Sequence, residues 1–151
     1  MRSPPVSAAA LAFALAGALA STPALARPTV AVTRVEVPAR PDAQRLTHEL
    51  RQLLAEAIKK ASFGRGTPKK RIEVTARLTE LSFEQRGDVL EVRCTLSGHI
   101  QGARGARSHI TFGGRPEERA KLEHDVLRMV ARGFVARIAD IARADAIADG
   151  D

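Results

Sequence analysis

From Arg71 to Gln101 the chain alternates apolar and polar residues, and this constrains the fold more than any other feature. Ile72, Val74, Ala76 and Leu78 fall on one side of a first run; Leu90, Val92, Cys94, Leu96, Gly98 and Ile100 fall on one side of a second. The polar positions between them hold Glu73, Thr75, Arg77, Arg93, Thr95, Ser97 and His99. A period of two belongs to a strand, whose successive side chains point to opposite faces; no helix keeps such a set together. The pattern predicts a sheet with one face on a core and the other open to water. The apolar phase slips once, to Leu81 and Phe83, which predicts a β-bulge near Thr79-Glu80. Arg86-Gly87 reads as a two-residue hairpin turn, and Ala103-Arg104-Gly105 as a three-residue turn with Gly105 left-handed. A further strand follows from Ala106 to Gly113, with Ile110 and Phe112 inward and Arg107, His109 and Thr111 outward.

A sheet with one apolar face needs a cover, and the flanking segments supply it. Thr29 to Val37 is β-branched and reads as a first strand, stopped by Pro38 and Pro41. Asp42 is placed to cap a helix with the stripe Leu46, Leu50, Leu53, Leu54, Ala57 and Ile58, ending near Gly64. Pro116 opens a second helix with Glu117 and Glu118 in its first turn. Its stripe is Leu122, Val126, Met129, Val130, Phe134, Ile138 and Ile141. The order is β-α-β-β-β-α, and the helical crossover makes the first strand parallel to the second. The predicted fold class is α+β: a two-layer sandwich of a four-stranded mixed sheet with two helices on one face. At 151 residues the chain holds one such domain, expected over 27–144, with a polar tail at 145–151.

The first 26 residues read as an address. Met1-Arg2 precedes an apolar run from Val6 to Leu19, then Pro23 and the small-x-small set Ala24-Leu25-Ala26. This is the pattern of a cleaved signal peptide, with the cut expected after Ala26 and a soluble product in the bacterial periplasm or outside the cell. The run is shorter than the ~20 apolar residues of a membrane span. Cys94 is the single cysteine, so no internal disulfide is available, and its place on the apolar side of a strand predicts a buried thiol.

This element order, with its exported start, resembles small bacterial envelope accessory proteins. The lipopolysaccharide-assembly lipoprotein is one such case, and the curli-secretion and penicillin-binding-protein-activator group offers related sandwiches. The resemblance rests on topology and compartment without a shared motif. It implies the fold and an accessory role in the envelope, and it carries over no site residue. Those proteins are typically lipidated, and no cysteine stands at the expected cut here.

No motif names a reaction. Gly98, Gly102 and Gly105 lie in a strand and hairpin rather than before a helix, so they form no phosphate loop, and no G-x-S-x-G elbow is present. Neither an enzyme activity nor a cofactor is expected. One row invites a metal reading: if the Gly105 turn sets His99 opposite His109, and the bulged hairpin sets Glu73 opposite His99, two imidazoles and a carboxylate align. The plain alternative is a cross-strand ion pair beside a surface histidine.

Charge says more. The formal net charge is +7. Lys59, Lys60, Arg65, Lys69, Lys70 and Arg71 follow one another without an acid, and the stretch from Arg93 to Arg115, with Arg104 and Arg107, is again acid-free. The topology brings both to one end of the sheet, with Glu84, Asp88 and Glu91 at the other. A positive end of this kind attracts an anionic envelope component or an acidic protein. Nucleic acid fits poorly: Trp and Tyr are absent, and Phe83, Phe112 and Phe134 are assigned to the core, leaving no stacking platform. The leading expectation is an exported, non-enzymatic accessory protein recognising an anionic partner. The alternatives are a metal protein using Glu73, His99 and His109, or an interaction module recruiting another chain through its sheet.

Overall fold

The computed structural model describes residues 28–64, 71–102 and 104–148. The predicted signal segment lies outside them, as do Arg65, Lys69 and Lys70. Strand β1 (Thr29–Glu36) leads through helix α1 (Ala43–Lys60) to β2 (Arg71–Arg86), β3 (Val89–Ile100) and β4 (Gly105–Gly114). A 3-10 turn at Pro116–Glu118 then opens α2 (Arg119–Ala148). The sheet order is β1-β2-β3-β4. β1 is parallel to β2 and the other pairs are antiparallel, so the α+β sandwich with a mixed sheet is the fold observed.

The bulge falls where the phase slip placed it, between Leu78 and Glu80 of β2. Both hairpins differ in detail from expectation. Arg86 pairs with Val89, so the turn is Gly87-Asp88 rather than Arg86-Gly87, and Gly87 takes the left-handed φ of +59° that opens such a turn. At the other hairpin the last pair is His99 with Gly105. The connection is longer than three residues, and its left-handed glycine is Gly102 (φ +78°), not Gly105.

α1 packs on β1, α2 on β3 and β4, and the two helices on each other. The α1 stripe is as predicted: Leu46, Leu50, Leu53, Leu54 and Ala57 are buried. Asp42 occupies the cap position without a capping side-chain bond, because its carboxylate accepts from Arg40 and Arg45 instead. α2 buries a wider face than the predicted stripe, adding Leu127, Ala131, Val135 and Ala139. A helix that touches both a sheet and a second helix needs two apolar flanks, which a single stripe understates. It also runs to Ala148, past the predicted start of the tail. Phe112, expected inward, is 46% exposed on edge strand β4. The outer ends of the helices are clasped by Arg45, which reaches Asp42, Glu49 and Glu123, and by His124, 2.7 Å from Glu49. Among the described residues no helix is long and apolar enough to cross a membrane.

Candidate functional site

Chain direction decides which cations meet. β1 and β2 start at one end of the sheet, where Thr29 pairs with Arg71. The end of α1 lies there too, since Lys59 and Lys60 line a hollow with Pro28 and Val30. β3 returns to that end, where Ile100 pairs with Val74, so the hairpin bearing Arg104 belongs to it as well. Of the predicted basic cluster, Lys59, Lys60, Arg71 and Arg104 therefore share one end. Part of their charge has a local match: Lys59 and Lys60 sit in the last turn of α1, at the negative end of its dipole, and Arg71 lies 3.4 Å from Glu73. The opposite end is less acidic than its sequence implies. Glu84 binds both Arg86 and Arg93, Glu91 binds Arg93, and the Arg86 guanidinium holds Glu84 below the ordinary carboxylate pKa.

Arg107 is not part of this end. It pairs with Ser97, which pairs with Arg77, six residues and about 20 Å along β2 from Arg71. The predicted Glu73–His99–His109 row is not assembled either. His99 faces Thr75 and Gly105, while His109 faces Thr95, four residues and about 13 Å from His99 along β3. The hairpin turns about Gly102 rather than Arg104, and this two-residue shift of its centre slides β4 by four residues against the expected register and separates the two imidazoles. Among the described residues no group of three His, Cys, Asp or Glu could hold a metal ion.

The register builds a different row, Glu80–Thr95–His109. The Thr95 hydroxyl donates to Glu80 Oε2 at 2.9 Å and lies 2.8 Å from His109 Nδ1. Thr95 is fully buried although its side chain faces the open side of the sheet. That burial makes the row a polar brace rather than a nucleophile. Thr95→Val keeps the shape and removes the hydroxyl, while Glu80 and His109 can turn to water. A loss of about 1 kcal/mol in urea unfolding is expected, and a loss above about 3 kcal/mol would mean that the row is not a solvated brace.

Two adjacent rungs of the open face carry the richer constellation. One runs Arg34–Thr75–His99–Gly105 and the next Glu36–Arg77–Ser97–Arg107, one residue from each strand. Together they line a shallow cleft of about 870 Å³. Glu36 lies 2.7 Å from Arg34 Nε and 3.7 Å from Arg77 Nε, and Thr75 Oγ1 lies 3.1 Å from His99 Nδ1. Of these residues the metal and basic-cluster readings singled out only His99 and Arg107. The signal for Arg34 and Glu36 was present in the alternation around Val35, but the bulge at Thr33 and the sheet order had to be known before they could be placed.

No protein-family profile and no curated protein sequence matches the chain. Among solved structures, the hypothetical protein CT253 from Chlamydia trachomatis is similar with a TM-score of 0.53 at 10% identity, over 79% of this chain and 99% of that one. A Caulobacter crescentus CB15 protein described as a lipoprotein gives 0.46 at 14% identity, over 78% and 92%. A minor lipoprotein from Acinetobacter baumannii gives 0.42 at 16% identity, over 78% and 93%. At such identities the likeness to CT253 is one of fold.

Proposed function

We propose that the protein is an exported, non-enzymatic accessory protein of the bacterial cell envelope that recognises an anionic partner through the basic end of its sheet. The signal-like start, Met1 to Ala26, supports the compartment. The observation that carries the rest is convergence: Lys59 and Lys60 from α1, Arg71 from β2 and Arg104 from the β3–β4 hairpin come to one end. Cations so gathered repel one another, and an anionic surface relieves that repulsion. The partner is an acidic glycan, a phosphate-bearing envelope surface or an acidic protein.

Heparin affinity of the full chain tests the reading. Replacing Lys59, Lys60, Arg71 and Arg104 together by Gln should weaken retention at least tenfold at low salt without moving the melting temperature. The difference should shrink as the Debye length falls from about 30 Å at 0.01 M salt to about 8 Å at 0.15 M. Replacing Arg86 and Arg93, already paired with Glu84 and Glu91, should change retention less than twofold. Equal losses from both sets, or no retention at low salt, would overturn the proposal.

One observation favours a second reading, recruitment of another chain through the sheet. β1 pairs with β2 only as far as Arg77, whereas β2 stays paired with β3 to Arg86. Thr79–Arg86 thus has no β1 partner, and an added strand would fit there. A concentration-dependent dimer that protects these amides from exchange would support it, and a monomer at every concentration would not.

A further inference from the structure

The open-face cleft has a use that the basic end does not explain. Arg34, Arg77 and Arg107 bring three guanidinium charges to it and Glu36 one carboxylate, so these four side chains leave an excess of two positive charges. Glu36 draws the Nε atoms of Arg34 and Arg77 together, leaving Nη donors of both for a ligand. These arginines are well exposed, at 72% and 67%, so their pairing with Glu36 is weak and readily exchanged for a better acceptor. Arg77 and Arg107 stand on either side of Ser97, about 10 Å apart across two strand spacings. Two arginine arms can close that gap on one tetrahedral oxyanion, with the Ser97 hydroxyl beneath it. The lining also decides what accompanies the anion. Among the described residues it holds no Phe and no large aliphatic side chain, so neither an acyl chain nor a nucleobase finds a surface. Thr75, His99 and Glu36 instead offer donors and acceptors suited to sugar hydroxyls.

We propose that this cleft binds the phosphate of a phosphorylated sugar, with Arg34, Arg77 and Arg107 on the phosphate and Thr75, Glu36 and His99 toward the hydroxyls. The site stands without the reading above, since Lys59, Lys60, Arg71 and Arg104 take no part in it. The test is calorimetric titration of the full chain at 0.15 M salt with glucose 1-phosphate, inorganic phosphate, glucose, and phosphatidylcholine vesicles containing phosphatidic acid. Glucose 1-phosphate should bind saturably, one per chain, at least tenfold more tightly than inorganic phosphate or glucose. Arg107→Gln, and Arg34→Gln with Arg77→Gln, should each weaken it at least tenfold with an unchanged melting temperature. The quadruple Gln variant of the basic end should bind glucose 1-phosphate as the wild type does. In proton NMR the ring signals of His99 should move on binding, while those of His48 and His124 stay. Absence of saturable binding, equal affinity for inorganic phosphate or for glucose, tighter binding of the vesicles, a still His99, or equal weakening by the basic-end variant would each overturn the assignment.

Discussion

Gly98→Ala is expected to cost the fold about 3 kcal/mol or more, a large share of the ~5–15 kcal/mol that holds a domain of this size together. A Cβ at Gly98 would lie 1.9 Å from the carbonyl oxygen of Thr75 and 2.8 Å from Cζ of Phe134. The backbone cannot swing away, because Gly98 pairs with Ala76 on one side and Ala106 on the other. This rung of three small residues is where α2 comes down on the sheet, with the Phe134 ring wholly buried. Trimming Phe134 to Leu should not rescue Gly98→Ala, because the contact with the Thr75 carbonyl remains. Gly87 supplies the contrast. It sits at φ +59° with nothing within 4 Å of a would-be Cβ, so Gly87→Ala should cost only about 1 kcal/mol of backbone strain. Urea unfolding midpoints measure all three. A Gly98→Ala loss no larger than that of Gly87→Ala would show that the strands part at this rung more easily than their pairing implies.

The same rung shows why some of this molecule was readable in its sequence and some was not. Which face each strand residue takes follows from parity, and parity survives any even slip of register. His99 and His109 both look outward as expected even though β4 sits four residues from the expected pairing. Glu73 also keeps its face, yet His99 faces Thr75 instead. Partners across strands depend on where each turn is centred, and the two hairpins close at Gly87-Asp88, one residue past the expected Arg86-Gly87, and around Gly102, three residues before Gly105. A metal row needs partners, so it failed; which end of the sheet a residue takes needs only direction, and Lys59, Lys60, Arg71 and Arg104 follow from that alone. Arg107 went astray because it depended on both. The cleft was hidden for another reason. Arg34 and Glu36 come from a strand whose neighbour is set by a helical crossover, and no local pattern states which residue of β2 that strand will meet. Helix width was underestimated likewise, since α2 serves the sheet and α1 together and sequence periodicity shows only the stronger side.

Above pH 9 the protein should lose stability at up to about 1.4 kcal/mol per pH unit on account of one thiol. Cys94 is fully buried on the core face of β3. Loss of hydration, with smaller contributions from the carboxylates of Glu80 and Glu123, pushes its pKa from an ordinary 9.0 up to about 12. In the unfolded chain the thiol gives up its proton near pH 9, whereas the folded protein keeps it to about pH 12. Across that window the unfolded state binds fewer protons, so stability falls as pH rises; below pH 9 both states are protonated and the thiol adds no slope. Cys94→Ala deletes the titration. Its small cavity lowers stability by a roughly constant amount at every pH, and the lysines and arginines titrate in both proteins. The readout is therefore how the stability difference between wild type and variant changes in urea unfolding from pH 8 to 10.5, a change expected to reach about 2 kcal/mol at the upper limit. Identical slopes would mean that Cys94 is reached by water in the folded state. The same burial settles what this cysteine can do at neutral pH. A protonated thiol with no exposed surface is neither nucleophile nor metal ligand, so alkylation at pH 8 must wait for unfolding and should accelerate in Gly98→Ala in proportion to the stability that variant has lost.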